Sequence, residues 1–544
     1  MPKEKLPGIS YGIVLLAMLG GGVLGFLLCR DGMQRNLLGH EQKRITSPRG
    51  DVLERKMNTA LKLIREEYVE EIDEDSVAEG MLNAMLLTLD PHSRYVGAEN
   101  FEKEMELLAG GFEGVGMTLR RQKDTTCVSS VFPGGPAAKA GLLPGDRIVR
   151  VDTMEVCGPG VRAEEVVNRI RGKRGSEVSL WVVRRNVEGR RCYRMRRAKV
   201  EQPSMNYSCM LGKGVGYVKL SSFTETTYTD FHKALAELKG AGMKHLVLDL
   251  RGNGGGLLEA AVKVCGELLE KGLVIVETKG AHSRPQTVRS PGGGIYTEGA
   301  LTVMIDEYSA SASEIVSGAV QDNDRGRIVG RRSFGKGLVQ RQFPLDDGSA
   351  IMLTIAKYYT PSGRCIQRPY SEGAEAYYLS NMNQMVKDYL SDSIAPALTD
   401  TVPYRTRNGR IVYGGGGIVP DRIIPMRQKP YSEYFNSLVR KEVLVDYAGE
   451  QVALHVGELL KRYPTETAFD GGFQVGSPMV EELVRWGEKA GVKCDRKGLE
   501  ADRKEIVTLV KGYMAESLYG QKGFYKEYIH IDYELNTLLE ELGN

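Results

Sequence analysis

The chain has no C-x-x-C pair, no H-E-x-x-H and no G-K-[ST], and these gaps close off several kinds of chemistry at once. Its eight cysteines (Cys29, Cys127, Cys157, Cys192, Cys209, Cys265, Cys365 and Cys494) stand far apart, and none lies near a histidine at zinc-ligand spacing. The seven histidines are dispersed, so neither a metal centre nor a thiol redox motif is indicated, and no cofactor is expected. Several of the cysteines fall in apolar runs and read as small core residues. A strong charge of one sign is also missing: 73 Lys and Arg against 70 Asp and Glu leave +3, which does not suggest a nucleic-acid partner. The basic run Arg184–Arg197 alternates with apolar residues and reads as the solvated face of a hairpin rather than a phosphate-binding patch.

One long apolar run stands out. Lys3 and Lys5 precede an uncharged stretch from Ile9 to Cys29 that ends at Arg30 and Asp31. That is roughly the 20 residues a helix needs to cross a bilayer. The lysines favour a cytoplasmic amino end, which places everything after Arg30 outside. A cleaved signal peptide is the rival reading, but no small-x-small site follows the run, and Leu28 before Cys29 argues against a lipoprotein-type site. The expectation is a single-pass anchor in a bacterial inner membrane, with the rest of the chain in the periplasm.

A chain of 544 residues with 42% hydrophobic and 26% charged residues reads as ordinary globular protein divided into several domains. After the anchor (1–30) and a polar linker (31–50), residues 51–108 show helical spacing, with Leu53, Met57, Ala60, Leu61 and Ile64 recurring at three and four. From about Gly110 the period shortens to two, and a small β domain is expected over 109–198. Residues 199–425 alternate strands with helices and punctuating glycines, which implies an α/β layer fold. The tail, 426–544, is again helix-like.

Chemistry concentrates in two stretches, Ser309-Ala310-Ser311-Ala312-Ser313-Glu314 and Ser333-Phe334-Gly335-Lys336-Gly337-Leu338-Val339-Gln340. The first sets hydroxyls among small residues at a helix start; the second sets one lysine between glycines in apolar surroundings. A serine needs a base to attack a carbonyl, and a lysine serves only when neutral. Burial among apolar groups lowers a lysine pKa. Alone, a serine at a helix start is most often a cap, and most lysines are exposed; together they read as a serine–lysine hydrolase site. Gln340 is placed to hold the amine, with an ordinary strand position as the bland alternative. An oxyanion needs donors: the N–H of Ala312 is one, and the turn Asp249–Gly256 offers another. That turn is a poor phosphate cradle, because G-x-G-x-x-G is not cleanly formed. The only G-x-S-x-G, Gly8–Gly12, falls at the mouth of the apolar run and is set aside.

From about Asp73 to Asp421 the chain resembles the carboxyl-terminal processing (tail-specific) serine proteases of bacteria and plastids. The resemblance is carried, in order, by Leu89-Asp90-Pro91-His92-Ser93, Phe112-Glu113-Gly114-Val115-Gly116, Leu143-Pro144-Gly145-Asp146, Asp249-Leu250-Arg251, Ser309–Glu314, Phe334-Gly335-Lys336-Gly337, Tyr359–Arg364 and Gly417–Asp421. It implies Ser311 as nucleophile, Lys336 as general base and Gln340 as the group orienting it. Ala312 and Gly255 would give the oxyanion N–H groups, with Gly254 as the alternative to Gly255. Asp322 would be structural. It further implies an α/β protease core of ClpP/crotonase-like fold with an inserted PDZ domain, whose Gly114, Val115 and Gly116 would bind the carboxyl ends of protein substrates, with Arg171 as a gate. The flanking helices would build a homodimer or dock an adaptor protein. An inert PDZ peptide-binding scaffold is the alternative function, and a crotonase-like acyl-CoA enzyme a more distant one. Asp306, Gly254 and Ser333 depart from the family's frequent residues.

Overall fold

A parallel sheet buried on both faces needs nearly continuous apolar strands, and Val215–Leu220, His245–Asp249, Ala300–Ile305 and Arg327–Gly330 supply them. In the computed structural model, which describes residues 48–380, 382, 402–425 and 430–543, these strands pair in parallel. Met205–Met210 joins one edge antiparallel and Arg422–Ile423 the other in parallel. Successive residues of a strand face opposite sides, and the two packings follow that rule. Val218, Leu220, Leu246 and Leu248 pack with the helices Thr227–Gly240, Leu258–Leu268 and Ala312–Asp322. Tyr217, Val247, Met304 and Val329 pack instead with Ile529, Leu535 and Leu538 from the end of the chain.

A second sheet lies against this core, in the order Arg94–Val96, Ala350–Tyr359, Val274–Gly280 and Ser283–Arg289, with Leu338–Pro344 also paired to Ala350–Tyr359. Its first strand revises the expectation of a wholly helical segment over 51–108. Helices do form at Pro48–Glu67, Glu74–Leu87 and Ala98–Leu108. Between the last two, the Asp90 carboxylate accepts the N–H groups of His92 and Ser93 (both 2.8 Å). That local turn, following Pro91, diverts the chain into Arg94–Val96. The segment therefore contributes to the core.

The small β domain is a six-strand sheet in the order Met117–Gln122, Thr125–Val131, Arg147–Val151, Glu177–Val183 and Arg190–Arg196, with the short Met154–Glu155 also paired to Arg147–Val151. Its core includes Val128, Ile148, Val166, Leu180 and Val182. Helix Ala163–Ile170 and the short helix Pro136–Ala140 cover it. The carboxyl-terminal helices form their own core around Phe435, Leu438, Tyr447, Phe469, Ile506 and Val510. They press directly on the β domain. A Cβ on Gly145 would come 2.3 Å from that of Ala453, and Arg120 pairs with Glu442 (2.5 Å) and Asp446 (3.2 Å). The membrane anchor expected over residues 1–30 lies outside the described residues. Among those described, no helix is long and apolar enough to cross a membrane.

Asp322 sits at the end of helix Ala312–Asp322, where its Oδ1 accepts from Nη2 of the fully buried Arg364 (2.7 Å) and its Oδ2 from the Ser362 N–H (3.1 Å). Breaking a buried pair leaves an uncompensated charge, at a cost of about 3–5 kcal/mol. Asp322→Ala should therefore lower core stability by about that amount in urea unfolding, and a loss below about 1 kcal/mol would remove the pair from the groups that hold the core.

Candidate active site

Ser311 occupies the residue before helix Ala312–Asp322, every residue of which is buried. Its backbone is unusual: φ is +57° and ψ is −113°, where a cap residue is ordinarily extended. A non-glycine residue in that region costs about 1–3 kcal/mol and persists only when its surroundings over-determine it. They do here. The Ser311 N–H donates to Glu314 Oε2 (2.8 Å). Its carbonyl accepts from the N–H groups of Glu314 and Ile315 (both 2.9 Å) and from Tyr358 Oη (3.2 Å).

Glu314 does more than close its own helix. The oxygen that accepts from Ser311 also accepts the Lys336 N–H (2.9 Å), and its other oxygen accepts from the Gly335 N–H (2.7 Å) and Ser333 Oγ (2.6 Å). Nucleophile and base backbones thus meet on one carboxylate oxygen. The glycines beside Lys336 are required by close approach: a Cβ on Gly335 would lie 2.8 Å from Arg368 Cγ, and one on Gly337 would lie 2.9 Å from the Gln367 N.

The Lys336 Nζ donates to Gln340 Oε1 (2.8 Å), and Gln340 Nε2 donates to the His92 carbonyl (2.7 Å). Both side chains are buried. Burial pushes the Lys336 pKa down to about 7, and the nearby Arg94 guanidinium adds to the fall, against the pull of Asp90, Glu314 and Glu104. His92 is held well below its ordinary value, first by burial and then by the charge of Lys336. It lies edge-on to Tyr377, at 5.4 Å between ring centroids, and its Nε2 is 3.1 Å from Tyr377 Oη.

The Ala312 N–H has no acceptor among the described residues, as befits the first position of a helix. The glycine turn differs from expectation. The Asn253 side chain folds back on the chain and takes the Gly255 N–H (2.9 Å), so of the two expected donors it is Gly254 whose N–H has no acceptor among the described residues. Gly255 matters sterically instead. Its φ is +106°, and a Cβ there would lie 2.8 Å from Ser311 Cβ and 2.9 Å from the Ala310 carbonyl oxygen. Of the departures from the family pattern, Asp306 accepts the Gly252 N–H (2.9 Å) and so shapes this turn, and Ser333 is a partner of Glu314.

In the β domain, Gly114, Val115, Gly116 and Arg171 line one groove beside the open edge of strand Met117–Gln122, with Phe112, Phe132, Val167 and Ile170. The carbonyls of Val115 and Gly116 accept from Ala137 (2.8 Å) and Phe132 (2.9 Å), while their N–H groups have no acceptor among the described residues. Arg171 lies over the Phe112 ring, 5.0 Å from its centroid, and pairs with Glu106 (3.4 Å). The sequence reading missed Glu314 as an organising group, although Ser-x-x-Glu is the pattern of a capping box. It also missed His92, whose contribution to Gln340 is a backbone carbonyl and has no sequence signal.

A buried hydroxyl and a lowered lysine on one side, and an open groove with bare N–H groups on the other, define a serine hydrolase coupled to a peptide-binding domain. Residues 214–373 match peptidase family S41, residues 127–184 the PDZ domain and residues 28–100 the N-terminal domain of the activating protease CtpB. Residues 434–520 match a family of unknown function. The chain is 37% identical to a carboxy-terminal-processing protease of Bartonella bacilliformis, over 58% of this chain and 71% of that one. To the carboxy-terminal processing protease CtpB of Bacillus subtilis it is 35% identical, over 58% and 65%. Among solved structures, a photosystem II D1 C-terminal processing protease is 31% identical, covering 57% of this chain and 83% of that one at a TM-score of 0.34. The chain belongs to the carboxy-terminal processing serine proteases of family S41, which sets aside the inert-scaffold reading.

Activity that needs neutral Lys336 should rise with pH through an inflection near the base's pKa of about 7 and level off above it, because the proton that blocks the base is lost there. Arg94→Met removes the repelling guanidinium and leaves its partner Glu104 (2.8 Å) to stabilise the ammonium, so the inflection should move upward. The pH dependence of single-turnover acylation reads both, and an unmoved inflection would exclude Arg94 from tuning the base.

Proposed function

We propose that the chain is a membrane-tethered endopeptidase of the bacterial envelope that captures protein carboxyl ends in its PDZ groove and cleaves through an acyl-Ser311 intermediate. The observation that carries this reading is the shared Glu314 oxygen, which sets the Ser311 and Lys336 backbones side by side. Neutral Lys336 takes the Ser311 proton as Oγ attacks the scissile carbonyl. The tetrahedral oxyanion is met by the N–H groups of Ala312 and Gly254. Lys336 then gives its proton to the leaving amine, later takes one from the water that attacks the ester, and returns it to Ser311 Oγ as the new carboxyl product leaves. Gln340 holds the amine on the serine side. The bare N–H groups of Val115 and Gly116 suit a terminal carboxylate, and the open strand edge suits an added peptide strand.

The run Ile9–Cys29 supports tethering to the inner membrane, with the catalytic part in the periplasm. Leu53 and Leu63, exposed on helix Pro48–Glu67, offer a surface suited to a second copy of the chain.

Ser311→Ala and Lys336→Ala should each reduce cleavage of an unfolded test protein by about 10⁴-fold or more, with the far-ultraviolet dichroism of the native chain retained. Turnover within tenfold of wild type in either would overturn the site. For the groove, the Ser311→Ala chain should bind an apolar-ended peptide with a free carboxylate more tightly than the same peptide amidated, and equal affinities would remove recognition of the chain end.

A further inference from the structure

The peptidase match ends at residue 373, and the last helix, Tyr533–Glu541, lies beyond both it and the match at 434–520. Yet that helix reaches the ground beneath the catalytic centre. Asp532 grips Arg251 with both oxygens (2.6 and 3.0 Å). Glu534 splits its carboxylate. One oxygen accepts from Arg251 Nη1 (3.3 Å), and the other accepts from Arg331 Nη1. Arg251 opens the glycine turn: it is bonded to Asp249 (2.6 Å), the next N–H along is fixed on Asp306 (2.9 Å), and Asn253 and Gly254 follow. Arg331, held also by Glu307 (2.8 Å), stands two residues before Ser333, which hydrogen-bonds Glu314. One carboxylate from the end of the chain therefore ties together the two segments that flank the nucleophile.

We propose that Asp532 and Glu534 are positioning residues for the reaction, holding the glycine turn and the Lys336 loop in register through Arg251 and Arg331. The helix that carries them does not need these bonds to stay docked. Leu535 and Leu538 are buried against Tyr217, Val247, Met304 and Val329 beneath the sheet, and Glu541 pairs separately with Arg422 (2.8 Å). Glu534→Gln isolates the bridge, since an amide offers a single acceptor oxygen and its NH₂ cannot accept from a guanidinium. With its oxygen on one arginine, its NH₂ faces the other, and the present bridge of one oxygen to each is lost. The proposal rests on reading the glycine turn as a source of oxyanion donors.

The test compares the full chain as wild type, Glu534→Gln, Asp532→Asn and, as a control on the same helix, Glu541→Gln. Steady-state cleavage, the rate of covalent labelling by a serine-directed phosphonate and thermal unfolding are measured on each. A misplacement of about 1 Å in a catalytic group can cost about 100-fold, so Glu534→Gln should lower kcat and the labelling rate together by about 10- to 100-fold per folded molecule. KM and the affinity for a carboxyl-ended peptide should stay at wild-type values, and Glu541→Gln should change neither rate. If Glu534→Gln does not fold, Asp532→Asn carries the same expectation. Rates within twofold of wild type in the folded variants would overturn the proposal, as would a fall explained entirely by unfolded protein. Retained turnover in Ser311→Ala would instead sink the catalytic reading, which leaves the two failures distinguishable.

Discussion

The catalytic centre depends on one buried carboxylate. Glu314 is wholly inaccessible, and burial pushes its pKa upward against four donated hydrogen bonds that favour the charged form. Those donors come from two segments, the cap of a buried helix and the loop that carries Lys336, which also meet through the Phe334 N–H on the Ser309 carbonyl (3.0 Å). An unsatisfied carboxylate in such a place would be very costly. The expense of leaving Glu314 unpaired thus holds both segments onto it. The same bonds hold Ser311 in a backbone conformation that a serine would not choose, with its N–H turned to Glu314 and its carbonyl covered by Tyr358. Strain at the nucleophile is sustained by polar satisfaction next to it.

What could be read from the sequence follows from the range of the interactions involved. Ser311, Lys336 and Gln340 lie inside short motifs whose residue types have local causes: glycines where backbones touch, small residues at a buried helix start. The core strands were legible because burial on both faces leaves continuous apolar runs, and the β domain because its period of two differs from that of the helices around it. Strand Arg94–Val96 escaped notice because three residues carry no period and helices flank it on both sides. Gly255 fits the sequence pattern of an oxyanion donor, but the hydrogen bond that its N–H donates to the Asn253 side chain is a conformational fact with no residue pattern behind it. Asp532 and Glu534 were invisible for a different reason. They act on Arg251 from 281 and 283 residues away, and no periodicity or motif encodes such a pairing.

The carboxyl-terminal helices also change how the β domain should be pictured. Gly145 is pressed against Ala453, and Arg120 and Arg185 reach Glu442, Asp446 and Glu450. Single exposed ion pairs of this kind contribute little, but the close packing at Gly145 leaves no room for a side chain and fixes distance as well as charge. The same helical region docks its final helix beneath the catalytic sheet. Groove and catalytic centre are therefore linked along the chain on both sides of the β domain, through Ala98–Leu108 and Ala198–Glu201, and again through a shared helical partner.

The identity of the base is set by the neutrality of its neighbour. A carboxylate beside Lys336 would hold the ammonium form and raise its pKa, cancelling the effect of burial. Gln340 instead presents an amide oxygen, which accepts a hydrogen bond without adding a charge. An amide can face either way, and what decides its orientation is the His92 carbonyl, which can only accept and so takes the NH₂ end. A backbone atom in the turn formed by Asp90 thus determines that an oxygen meets the lysine. That turn is itself secured by Ser93, whose Oγ donates to Asp90 (2.6 Å) and accepts the Thr354 N–H (3.1 Å) of the strand paired with Leu338–Pro344. The short segment before Arg94 is for this reason part of the catalytic machinery's support.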